Sequence, residues 1–184
     1  MTARGIVLLG LLAAATGGCR SSPDMASTPD LLRVAPGAVH VLLFVNPECP
    51  IANAYAPTLQ ALANSWRSQP VRLFLVHVDP DVDAARAAAH AAEYGLPGEV
   101  RLDPTHDLAH RLGITRTPEA AVCTAAGLAY RGRIDDQWTA LGNRRNTATT
   151  HDLERAVAAA LGSGTAPTPW PPAVGCLLPE PAQR

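Results

Sequence analysis

The stretch "AVHVLLFVNPECPIAN", residues 38–53, runs from a nearly continuous apolar segment into a cysteine followed by proline. A run as apolar as 38–45 is what a strand buried on both faces of a sheet requires, because neither side of its pleat meets water. Pro50 suits the first turn of a helix, since its missing N–H is one the helix does not use. Cys49 therefore falls at a strand-to-helix junction. Unpaired backbone N–H groups and the helix dipole favour a negative sulfur there, and only the thiolate is nucleophilic. The plain alternative is a small apolar residue at a strand end.

Outward from this junction, Ile51, Tyr55, Leu59, Leu62 and Trp66 recur at helical spacing and predict a helix over 51–66. "VRLFLVHV" (71–78) reads as a second buried strand. In "DPDVDAARAAAHAAEYG" (79–95), Asp79 is the expected N-cap, Pro80 the first helical residue and Gly95 the stop. A short strand at Val100–Leu102 leads to a helix in "DPTHDLAHRLG" (103–113). Strands at 119–124 and 128–134, turning near Gly127, form a hairpin, and 149–162 is a last helix with Thr150 as N-cap. Six of the seventeen prolines lie beyond Ser163, so an irregular C-terminal tail is expected. The order predicts an α/β fold: a parallel βαβ unit, then antiparallel strands in the same sheet, with helices on both faces as outer layers.

That order, with "FVNPECP" closing the first strand, "LDPTHDLAHRLGITRTPEA" leading to Thr117-Pro118, and "YRGRIDD" closing the hairpin, resembles the thioredoxin-like fold over residues 38–162. It resembles in particular the exported redoxins, TlpA/ResA-like and AhpC/TSA-related. The resemblance implies that Cys49 is the attacking thiol. It also implies that Thr117-Pro118 is a cis pair lying against Cys49, and that the backbone of Thr117 can pair with a substrate segment, with Pro50 beside it. Ala52 stands where C-x-x-C redoxins carry their second cysteine, giving a degenerate CPIA motif. Asn46 stands where peroxiredoxins carry a threonine or serine. The expected activity is thiol–disulfide exchange on protein or small-molecule thiols and disulfides, without cofactor or metal. The alternatives are a peroxiredoxin-like thiol peroxidase and a non-catalytic interaction module. A copper-carrying C-x-x-x-C pair is absent, residue 53 being Asn.

Four cysteines need places. "MTARGIVLLGLLAAATGGC" reads as a signal peptide over 1–19, with small residues before Cys19 as in a lipoprotein signal. The apolar core is too short for a lasting membrane span. Export to the periplasm or cell envelope, a lipid anchor on Cys19 and a Ser/Pro/Asp-rich tether over 20–37 are expected, with ordinary cleavage as the bland alternative. In an oxidising compartment disulfides persist, and Cys49, Cys123 and Cys176 remain. The tail from 163 to 184 gives Cys176 ample reach to Cys49, and the resemblance points the same way. The expected Cys49–Cys176 pair is either a resolving redox couple or a permanent staple.

Other candidates weigh less. Cys123 inside a strand reads as a small buried hydrophobe, and His77 as a satisfied core histidine. His106 and His110, four apart, could face a metal but read more simply as solvated helix residues. Asp135 and Asp136, near Arg131 and Arg133, read as a surface ion-pair cluster. A net charge of −1 with scattered basic residues offers nothing to nucleic acid. If the leader reading is right, intact mass of the membrane fraction will show a mature chain starting at Cys19 and carrying acyl groups. A chain that starts elsewhere without lipid mass contradicts it.

Overall fold

The computed structural model describes residues 31–182. The leader, Cys19 and most of the tether lie outside these residues. Five strands form the main sheet: β1 (Val39–Val45), β2 (Val71–His77), β3 (Glu99–Leu102), β5 (Glu119–Thr124) and β6 (Gly127–Gly132). Their order is β3-β2-β1-β5-β6, with β1 parallel to β2 and antiparallel to β5. β1 is central, which is why its whole length is buried and all of it but His40 is apolar.

Alternation along β1 divides the core. Val39, Val41, Leu43 and Val45 share one face with Ile51, Leu59, Leu153 and Val157, which come from the helices α1 (Pro50–Ala54), α2 (Ala56–Ser65) and α5 (Asp152–Ala160). Leu42 and Phe44 point to the other face, against Leu108, Ala109 and Leu112 of α4 (Asp107–Leu112). Leu31 and Val34, read from sequence as tether, are buried in this second cluster, and the Leu31 carbonyl lies 2.8 Å from His40 Nδ1.

Local chemistry moved several boundaries. The helix expected over 51–66 is broken at Tyr55 into α1 and α2. Pro57 lies in the first turn of α2, where its ring and missing N–H are tolerated, whereas inside a continuous helix they are not. α3 (Ala84–Tyr94) starts later than expected: Asp83, not Asp79, caps it by accepting from Arg86 N at 2.8 Å. Asp79 instead closes a turn, accepting from Asp81 N. Gly95 ends α3 in the left-handed conformation, as its stop role requires. α5 begins after His151, and the Thr150 hydroxyl bonds Asp152 rather than capping. The 135–148 loop contains a small hairpin, β7 (Trp138–Ala140) with β8 (Asn143–Arg144).

The tail departs most from expectation. It is irregular for most of its length, but β9 (Cys176–Leu177) pairs antiparallel with β4 (Arg116–Thr117). Upstream, Arg133 N donates to the Pro171 carbonyl at 3.2 Å, and Trp170 packs edge-on against Tyr130. Downstream, Ala182 N donates to Pro104 O at 2.8 Å. Leu59 is 1% exposed at the junction of α2 with the sheet. Leu59→Ala should cost about 2–5 kcal/mol of stability, read as a lowered urea midpoint at unchanged m-value.

Candidate functional site

Cys49 is the residue before α1 and is 1% exposed. Its backbone N–H donates to Asn46 O at 3.0 Å, and Asn46 Oδ1 accepts from Glu48 N, so the turn that aims the sulfur is held from within. Thr117-Pro118 is a cis bond. The Cys49 thiol donates to the Thr117 carbonyl at 3.0 Å. The backbone leading into Thr117 is held by Glu119, a buried carboxylate that accepts from Thr115 N and Arg116 N at 2.9 and 3.2 Å. The buried Thr117 hydroxyl has no hydrogen-bond partner among the described residues.

Cys176 arrives by β-pairing. Its register partner is Thr117, the residue whose carbonyl touches Cys49. Both thiols are free, and Cys176 lies close enough for each to shift the ionisation of the other. The expected disulfide is thus not formed in this structure, which holds the two residues as a reduced pair. Burial works against ionising Cys49. Hydrogen bonding from Cys176 and from the Ala52 N–H outweighs it and holds the Cys49 pKa below that of an ordinary thiol. Cys176 moves the opposite way, raised by burial and then by its hydrogen bond to, and repulsion from, the Cys49 sulfur. Cys49 is thus the more acidic of the two thiols.

A family model described as AhpC/TSA matches residues 25–134, more than half of the chain. The chain belongs to the AhpC/TSA family. No curated protein sequence gives a significant match. Among solved structures, a hypothetical protein from Sinorhizobium meliloti 1021 superposes with a TM-score of 0.68 at 22% identity, over 79% of this chain and 81% of that one. An uncharacterized conserved protein from Geobacillus kaustophilus gives 0.65 at 23% identity, over 79% and 78%. A protein assigned as a thiol:disulfide interchange protein DsbE from Chlorobium tepidum gives 0.53 at 18%, over 68% and 82%. These likenesses establish the thioredoxin-like fold.

Within this AhpC/TSA chain, polar groups that the sequence left scattered are joined beneath the site. His77 Nε2 lies 2.9 Å from His90 Nδ1, His90 Nε2 lies 2.8 Å from Asn53 Oδ1, and Asn53 Nδ2 donates to Pro47 O at 2.9 Å. This chain links β2 through α3 to the turn before Cys49. His77 is fully buried, but its Nδ1 has no partner among the described residues, so it is a core histidine only half satisfied. Tyr55 donates to Asp135 at 2.6 Å.

Asp135 and Asp136 are therefore not a surface cluster. Both are buried, and Asp136 accepts from Arg145, Thr149 and Thr150. Arg133 pairs instead with Asp152 at 2.7 Å, and Arg131 lies near Glu119. His106 is not a solvated helix residue either: it precedes α4, is buried, and its Nε2 lies 2.7 Å from Val78 O, while His110 is exposed on the helix. Cys123 is buried, and burial pushes its thiol up to about 11. Glu119 and Gly175 carry the geometry of the site without a local motif; their only sequence signals were a glutamate directly after Thr-Pro and a glycine before the tail cysteine.

His77 titrates at about 4, lowered first by burial and then by the nearby His90. A histidine depressed below its ordinary 6.5 binds its proton more readily in the unfolded chain. Its contribution to stability is complete above about pH 6.5 and is lost as pH falls towards about 4. Urea midpoints should fall across that window, and the fall should be shallower in His77→Gln.

Proposed function

We propose that the protein performs thiol–disulfide exchange, with Cys49 as attacking thiol and Cys176 as resolving thiol. The observation that carries this reading is the register of β9 on β4. It sets Cys176 opposite Thr117, whose carbonyl lies 3.0 Å from the Cys49 sulfur. Thr117, Pro118 and Pro50 frame the approach.

The Cys49 thiolate attacks one sulfur of a substrate disulfide, forming a Cys49–substrate disulfide and expelling the other sulfur as a thiolate. Cys176 then gives up its proton and attacks the Cys49 sulfur. The Cys49–Cys176 disulfide forms, and the remaining substrate sulfur leaves as a thiolate. Two electrons have passed from the protein dithiol to the substrate, and an external dithiol reverses the sequence to restore the pair. The opposed tuning of the two thiols suits these roles, because only the thiolate attacks: the lower-pKa Cys49 is the first nucleophile, and Cys176 keeps its proton until the mixed disulfide forms. Cys176 thus takes the task that Ala52 cannot perform. The reading includes export and a lipid anchor at Cys19, supported by the leader sequence, with the thioredoxin-like unit over 38–162 and the tail completing its site.

Family membership sustains a second reading as a thiol peroxidase. Against it, Asn46 spends its side-chain oxygen on Glu48 N and has no hydroxyl to offer.

Oxidation of the full chain with a small disulfide, followed by non-reducing peptide mapping, should yield one Cys49–Cys176 link. Cys49→Ser should reduce exchange to background, and Cys176→Ser should accumulate substrate on Cys49. Free Cys49 and Cys176 after oxidation would overturn the reading. Stopped-flow oxidation by hydrogen peroxide far faster than for ordinary thiols would favour the peroxidase.

A further inference from the structure

The edge of β4 holds an extended segment whose cysteine lies beside Cys49, and that segment is the protein's own. Arg116 faces Leu177 and Thr117 faces Cys176 in an antiparallel register, and Leu178 N continues it to Thr115 O at 3.4 Å. Arg116 Nη1 adds a hydrogen bond to Gly175 O at 3.3 Å. Strand addition of this kind draws affinity from the main chain and selectivity from the few positions where side chains meet the surface.

Those positions differ sharply here. Gly175 is buried against the Thr117 carbonyl, and a Cβ built on it would overlap that oxygen and crowd the Pro118 nitrogen. Both are backbone atoms that cannot rotate away. Leu177, on the other side of the cysteine, is 69% exposed and meets little resistance. In this register a strand can bring its cysteine to Cys49 only if the preceding residue has no side chain. The residue after the cysteine is unrestricted.

We propose that the β4 edge is a binding site for extended Gly-Cys segments of partner proteins, occupied in the resting state by residues 175–177, and that the close approach at Gly175 sets its selectivity. The proposal rests on the reading of Cys49 as an exchange thiol and adds the class of partner. A partner segment with glycine before its cysteine reproduces every backbone contact of the tail once the tail lifts. A segment with a bulkier residue there does not.

The test uses reduced full-length protein and follows iodoacetamide alkylation of Cys49 by peptide mapping. Gly175→Ala should raise the Cys49 rate by about tenfold or more, because the strand that covers it opens. A synthetic peptide of the tail sequence 173–178 with serine for the cysteine should restore slow alkylation of the Gly175→Ala protein. The same peptide with alanine for glycine should not. Arg116→Met, which removes only the side-chain bond to Gly175 O, should give a smaller increase and serves if Gly175→Ala fails to fold by circular dichroism. Equal Cys49 rates in all forms, or equal protection by both peptides, would overturn the proposal. The pH dependence of the same reaction is independent of that outcome. A Cys49 midpoint at or above that of a free thiol defeats the exchange reading, whereas peptide protection alone decides the binding edge.

Discussion

The site depends on a sulfur that is both buried and inclined to carry charge. Burial alone keeps a thiol protonated and inert, as at Cys123. At Cys49 the same penalty is outweighed by donors from two chain segments, Cys176 on the tail and the first turn of α1. The central position of β1, the turn at Asn46, the grip of Glu119 on the β4 backbone and the return of the tail all serve to bring these donors to one point.

Residue 52 is alanine, so no second thiol lies one helical turn from Cys49. A thiol one helical turn away, as in C-x-x-C, is held by local geometry. A thiol on a tail strand is held by β-pairing, so its position depends on how well that strand is docked. Chemistry and tertiary stability become coupled. The His77–His90–Asn53 chain extends the coupling to the opposite face of α1, since it ties the Pro47 turn to the core rather than to solvent.

The main sheet could be read from sequence because its signal is local. An apolar run such as 38–45 needs no partner to be recognised, and the resemblance then placed Cys49 and Thr117-Pro118. The features that escaped were those set by distant partners. The Tyr55–Asp135 bond joins residues 80 apart, and the His90–Asn53 contact joins residues 37 apart, so no window along the chain reveals either. Asp135 and Asp136 looked like surface charges because the groups that hold them, Tyr55 for Asp135 and Arg145, Thr149 and Thr150 for Asp136, are brought in by the fold rather than by the adjoining sequence. The break at Tyr55 was different. Pro57 was visible, but the helical recurrence of Ile51, Tyr55 and Leu59 concealed it, since the two short helices preserve nearly the same face. β9 has only two residues, too few for any periodic pattern, and its pairing is fixed by one glycine and one register.

The tail is fastened on both sides of its cysteine, through the Pro171 carbonyl upstream and Ala182 N downstream. From Pro171 to Cys176 the chain is five residues, which limits the excursion of that sulfur to about 17 Å. Short tethers of this kind keep effective concentrations in the millimolar range. When the strand lets go, Cys176 does not leave but samples a small volume around Cys49. An incoming segment therefore meets a competitor at a fixed local concentration, one that dilution of the protein cannot reduce.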